Sequence, residues 1–67
     1  MMKYLVLEIQ SGDTVSTIID DYDNLNNAES KYHQVLTSAA VSDVPKHSAM
    51  IINEEGRVLK VECYIHE

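Results

Sequence analysis

Apolar and polar residues alternate along the first part of the chain in the way that strands require. In Lys3–Gln10, the side chains of Leu5, Leu7 and Ile9 fall on one face and are all apolar, because successive residues of a strand point to opposite faces. Thr14–Asp21 is rich in β-branched residues but more polar, which is typical of an edge strand. A glycine-containing turn separates the two segments, and together they predict a β-hairpin.

The middle of the chain carries the spacing of an amphipathic helix. Apolar residues recur three or four positions apart from about Leu25 to about Ala40, and this spacing places them on one helical face. Asn24 is suited to cap the first turn through its side-chain oxygen. Asn26 with Glu29 is a second option with the spacing of a capping box. The chain's single proline follows and stops the helix, because the residue before a proline disfavours helical geometry.

A second hairpin is predicted after the helix. His47–Asn53 predicts the third strand, and Arg57–His66 predicts the fourth, with the cleanest alternation in the chain. Gly56 in the intervening loop is placed for the left-handed backbone position that closes such turns. No linker or repeat divides the sequence, so we expect residues 1–67 to form a single domain.

These elements predict an α+β fold, a two-layer sandwich in the order strand–strand–helix–strand–strand. The strands are expected to form one mainly antiparallel four-stranded sheet with the helix on one face, and the pattern leaves the strand order open. Because the most uniformly apolar rows belong to the first and fourth strands, we expect those rows to face the helix. The predicted core comprises Leu5, Leu7, Ile9, Val61, Cys63 and Ile65 from the sheet, with Ala28, Tyr32, Leu36 and Ala39 from the helix.

The other face of the sheet is then expected to carry tyrosines, valines and charges. Antiparallel sheets often leave one face in water, which is one interpretation of this surface. The other is an interface of a homo-oligomer, with a dimer favoured, because tyrosine is enriched at interface centres and a small domain gains stability from association. The candidate interface residues are Tyr4, Val6, Glu8, Val58, Lys60, Glu62 and Tyr64.

Composition and charge narrow the classes of partner. The 67-residue chain carries 11 acidic and 5 basic residues, for a net charge of −6. The basic residues are scattered, which argues against nucleic acid and anionic membranes as partners, since both require clustered cations. No apolar run is long enough to span a bilayer. A start without an export signal and a single unpaired cysteine favour the cytoplasm.

The sequence offers little support for catalysis or metal binding. His33, His47 and His66 lack the spacing of a metal or hydrolase motif. The acidic segment Asp20–Asn24 lacks the glycine and the glutamate that a calcium loop requires. Cys63 belongs to an apolar row and is expected to be a buried, inert thiol. We therefore expect no enzymatic activity, no cofactor and no metal.

Four parts of the chain stand out together: Lys3–Gln10, Ala28–His33, Ala39–Ser42 with Val44–Pro45, and Glu55–Lys60. As a set they resemble a family of very short proteins encoded in the genomes of gut Firmicutes and in their phages and prophages. The resemblance covers nearly the whole chain. The family has no assigned activity, so the resemblance implies no functional residue, and it favours a phage-related accessory or structural role by association alone.

The leading functional hypothesis from the sequence is a non-enzymatic interaction or assembly module that works as a small homo-oligomer. The alternative is a small acidic regulatory protein that binds a basic protein partner. A third hypothesis is an enzyme or ligand-binding subunit whose pocket forms between chains, with Glu62, His66 or His33 pointing into it.

Overall fold

The computed structural model describes residues 2–66 and has the predicted element order. Two hairpins flank one helix, and the structure confirms the α+β class with four antiparallel strands. The elements are β1 (Tyr4–Ser11), β2 (Val15–Tyr22), α1 (Leu25–Ala40), β3 (Lys46–Asn53) and β4 (Val58–Ile65).

The strand order, which the sequence left open, is β2-β1-β3-β4. β1 and β3 are therefore the central strands, and each hairpin contributes one central and one edge strand. Leu7 of β1 lies opposite Ile19 of β2 and Met50 of β3, which fixes the register of the first three strands. The second hairpin turns at Gly56, whose φ of 85° is the left-handed conformation predicted for it.

The helix has the predicted bounds and the first of the two predicted caps. The Asn24 side chain accepts a hydrogen bond from the backbone N–H of Asn27 at 2.8 Å, which satisfies one of the free amides of the first turn. The helix ends at Ala40 before the chain turns towards β3. Its buried residues are Ala28, Tyr32, Val35 and Ala39.

The predicted assignment of the two sheet faces is wrong. Val6 of β1 is 2% exposed and Ile51 of β3 is 0% exposed, and both belong to the cluster that packs against the helix. Since neighbouring residues of a strand point to opposite faces, the predicted core rows lie on the side away from the helix. Those rows are Leu5, Leu7 and Ile9 of β1, and Val61, Cys63 and Ile65 of β4.

Side-chain size explains the reversal. The helix presents two fully buried alanines, Ala28 and Ala39, and Ala49 on the facing side of the sheet is also 0% exposed. Small residues at these contacts let the helix approach the two central strands closely, with Tyr32 filling the space between the layers. The clean alternation of β4 could not reveal the core face, because β4 is an edge strand that the helix barely covers.

The candidate interface was predicted on the uncovered face, and that placement is also wrong. The Lys60 ammonium lies 3.2 Å from a carboxylate oxygen of Glu29 on the helix. Burial is the main cause that raises the pKa of the Tyr32 phenol, and the nearby charge of Glu62 raises it further. The candidate residues that share this helix side are Tyr4, Val6, Glu8, Lys60, Glu62 and Tyr64. Val58, the last of the set, lies opposite Ile52 beside an irregularity in the β3–β4 pairing.

The core assignment predicts a large difference between two isoleucines. Ile51→Ala should lower the free energy of unfolding by about 2–5 kcal/mol, because it leaves a cavity in the core. Ile18→Ala is the matched control, since Ile18 is 48% exposed and its truncation should cost less than about 1 kcal/mol. Urea titrations at one protein concentration provide the measurement, and equal losses for the two variants would contradict this core.

Candidate interaction surface

The face of the sheet away from the helix, called the open face below, is covered by no helix or strand among residues 2–66. Its central row crosses all four strands through Ile19, Leu7, Met50 and Val61, and every residue in it is apolar. The rows on either side extend the same face. The open face consists of Val15, Thr17, Ile19, Asp21, Ser11, Ile9, Leu7, Leu5, Lys46, Ser48, Met50, Ile52, Ile65, Cys63 and Val61.

The open face is apolar at its centre and exposed at its edges. Ile19 and Val61 are each 56% exposed, and Val15 and Ile65 are more exposed still. The charged positions of the open face are Asp21 and Lys46, which stand at opposite ends of the strands. Contiguous apolar patches of this kind mark interaction sites in soluble proteins.

The core beneath the helix is small by comparison. Its buried apolar residues are Val6, Ala28, Tyr32, Val35, Ala39, Ala49 and Ile51, and three of these seven are alanine. A domain of this size gains little stability from burial within one chain. The chain thus keeps more large aliphatic side chains on its open face than it buries under its helix.

A polar pair lies on the helix side of the sheet, with His47 buried and Glu8 part-buried. Nε2 of His47 lies 2.6 Å from Oε2 of Glu8, and Gln10 donates to the same oxygen at 3.2 Å. The pair joins the two central strands, and Nδ1 of His47 has no hydrogen-bond partner among residues 2–66. Sequence reasoning missed this pair, because the two residues lie 39 positions apart and only the β1–β3 register brings them together.

The other two histidines also make structural contacts. Nε2 of His66 donates to the carbonyl oxygen of Ala39 at 2.8 Å, which satisfies an acceptor in the last turn of the helix. The His33 ring packs edge-on against Tyr32 with 5.6 Å between ring centroids. Glu29, the sequence neighbour considered for His33, instead binds Lys60. The three histidines therefore do not form one site.

The acidic segment after β2 is a capped turn with ion pairs. Asp23 accepts a hydrogen bond from the Lys3 ammonium, and this bond raises the pKa of Lys3. Asp20 lies 3.9 Å from Lys31 of the helix. Within residues 2–66 there is no group of three or more His, Cys, Asp or Glu side chains placed to hold a metal ion.

Cys63 lies in a different environment from the one predicted. Its side chain is exposed on the open face, so the expectation of a buried thiol is wrong. Its row neighbours across the sheet are Ser48, Ile9 and Thr17.

One shallow cleft lies at the end of the sheet near the first turn. Its volume is about 230 Å³, and Gln10, Asp13, Ser16 and Pro45 contribute to its walls. Ligand sites usually enclose roughly 300 Å³ or more. The cleft opens on the helix side of the sheet, because the amide of Gln10, one of its wall residues, donates a hydrogen bond to Glu8 on that side.

Comparisons with known proteins assign no family to this chain. The chain matches no model of a protein family. It matches none of the curated proteins and none of the solved structures. The helix of residues 2–66 is too short and too polar to cross a bilayer.

The buried pair predicts strong coupling between two substitutions. Glu8→Leu or His47→Leu alone should destabilise the fold by roughly 2–4 kcal/mol. Glu8→Leu leaves the buried His47 ring without a partner, and His47→Leu leaves the part-buried Glu8 carboxylate with Gln10 as its one remaining side-chain partner among residues 2–66. The double variant should lose clearly less than the sum of the single losses, since both polar groups are then gone.

The exposed Lys60–Glu29 pair serves as the control for this cycle. Alanine at either or both positions should change the free energy of unfolding by less than about 1 kcal/mol. Additive losses at Glu8 and His47 in urea titrations would show that the two side chains do not interact as the geometry indicates.

Proposed function

We propose that this protein is a non-enzymatic interaction and assembly module that works as a small homo-oligomer through its open face. The observation that carries the proposal is the apolar row Ile19, Leu7, Met50 and Val61, which spans the sheet and is covered by no element among residues 2–66. Leaving such a row in water is unfavourable by roughly 25 cal/mol for each Å² of apolar surface. A partner that covers it recovers that free energy.

The size of the core supports association for a second reason. Three of the seven buried apolar residues are alanine, and a partner on the open face would supply the second apolar layer that the chain lacks. The association and the folding of the chain would then be thermodynamically linked. The family resemblance described above supports a phage-related setting for such a module.

The hypothesis of a shared catalytic pocket gains no support from the geometry. Glu62 lies on the helix side of the sheet, His66 binds the end of the helix, and His33 lies on the helix itself. Association through the open face would not bring these three side chains together.

A basic protein partner remains the second candidate. Asp23, Asp21 and Glu54 lie near Lys3, and all raise the pKa of its ammonium, so this end of the sheet is acidic overall. Binding at that end would weaken steeply as salt is added. Association through the open face would persist, because burial of apolar surface does not depend on unscreened charge.

The proposal predicts that a charge in the central row of the open face blocks association. Val61→Glu should weaken self-association at least ~10-fold, because the dimer would bury an unpaired carboxylate. Gln34→Glu is the control, since it adds the same charge on an exposed position of the helix. Sedimentation equilibrium should give twice the 7.6 kDa chain mass for the wild type and the control.

Two results would overturn the proposal. One is a wild-type protein that stays monomeric at concentrations of several hundred micromolar. The other is a Val61→Glu variant that associates as tightly as Gln34→Glu while circular dichroism shows both to be folded. A dimer that resists Val61→Glu would place the interface elsewhere on the molecule.

A further inference from the structure

We propose that two copies of this chain pack open face to open face about a two-fold axis that crosses the strands, so that Lys46 of each copy lies against Asp21 of the other. This inference rests on the proposed function and specifies the arrangement of the partner. It follows from the area of the open face, from its lack of charge at the centre, and from where its two charges stand.

The area of the open face suits a second copy. A sheet of four strands with eight residues each covers roughly 500 Å², given about 4.8 Å between strands and about 3.4 Å per residue. Two copies packed face to face would therefore bury roughly 1,000 Å² in total, which reaches the lower size limit of a specific interface. The result would be a β-sandwich with a helix on each outer side.

The centre of the open face favours another apolar surface as its occupant. The row through Leu7 and Met50 contains no charged group, hydroxyl or amide side chain. A second copy meets this requirement, because a two-fold interface places the same apolar surface on both sides.

The positions of Asp21 and Lys46 favour one of the possible two-fold axes over the other. Asp21 lies opposite Leu5 at one end of β1, and Lys46 lies opposite Ser11 at the other end. A two-fold axis parallel to the strands would place the Lys46 end of one copy over the Lys46 end of the other. Each Lys46 would then face Lys46 of the other copy. An axis across the strands exchanges the ends, so that each Lys46 meets the Asp21 end of the other copy.

The usual packing angle of two sheets improves this match. Asp21 belongs to β2 and Lys46 to β3, two strands away. For the right-handed crossover that β2–α1–β3 connections adopt, an angle of about −30° between the sheets turns Lys46 towards the β2 edge of the other copy. On a flat sheet, this rotation reduces the lateral distance between Lys46 of one copy and Asp21 of the other to roughly one strand spacing, about 4.8 Å. A lysine side chain can span that distance.

Both residues are exposed, and neither takes part in an ion pair among residues 2–66. Asp21 also lies near the Lys3 ammonium, which is paired with Asp23. The nearby turn acid Asp13 forms no ion pair with Lys46 among residues 2–66.

Charge reversal tests the arrangement. Lys46→Glu and Asp21→Lys should each weaken self-association about 10-fold, and the double variant should return to within about 3-fold of the wild type. The controls are Arg57→Glu and Glu55→Lys, which make the same charge changes at exposed positions of the second hairpin turn. Both controls should associate like the wild type.

Disulfide trapping provides a second readout of the same contact. In a Cys63→Ser background, a mixture of Lys46→Cys and Asp21→Cys chains should form a mixed disulfide dimer faster than either variant alone, since close pairs of thiols cross-link readily. An axis along the strands would instead cross-link Lys46→Cys with itself.

The outcomes separate the arrangement from the proposed function. A dimer whose affinity ignores the charge reversals, or in which Lys46→Cys cross-links mainly with itself, would overturn the arrangement and leave the open face as the interface. A wild-type chain that is monomeric would overturn both. Recovery of self-association in the double variant, together with formation of the mixed disulfide, would support both the arrangement and the proposed function.

Discussion

A single helix can cover only one face of a four-stranded sheet, and the rest of this structure follows from that constraint. The helix covers the central strands on the side where small residues, Ala49 above all, allow close approach. The face left open is the more apolar of the two. The molecule therefore resembles one half of a sandwich, and we propose that a second chain supplies the other half.

The position of the helix on one face of the sheet also accounts for the polar residues on that side. Glu8 and His47 form a hydrogen bond on the helix side of the sheet, while Nδ1 of His47 has no partner among residues 2–66. His66 donates to a carbonyl oxygen in the last turn of the helix. The Glu8–His47 contact favours the observed register of β1 against β3, since buried polar groups need specific partners. The histidines that a search for chemistry would consider first are thus structural residues.

The sequence predicted the elements well and the faces poorly. Alternation, the Asn24 cap and Gly56 located the strands, the helix and the second turn, because these are local signals. The burial of Val6 in place of Leu7 is a tertiary outcome that depends on strand order and on the helix contact, and neither is encoded in the pattern of one strand. The candidate interface was displaced to the wrong face for the same reason, whereas the expectation that one sheet face seeks a partner stays a prediction.

The central claim is that the open face is covered in solution, and the solvent accessibility of its methyl groups tests this most directly. A soluble paramagnetic agent at high protein concentration should relax the methyl groups of Val61 and Ile19 weakly, although both are 56% exposed in the single chain. Val41, which is 84% exposed beyond the helix, provides the reference for a methyl group in water. Strong protection of Val61 and Ile19 relative to Val41 is the result we predict, and relaxation of all three in proportion to their single-chain exposure would contradict the account.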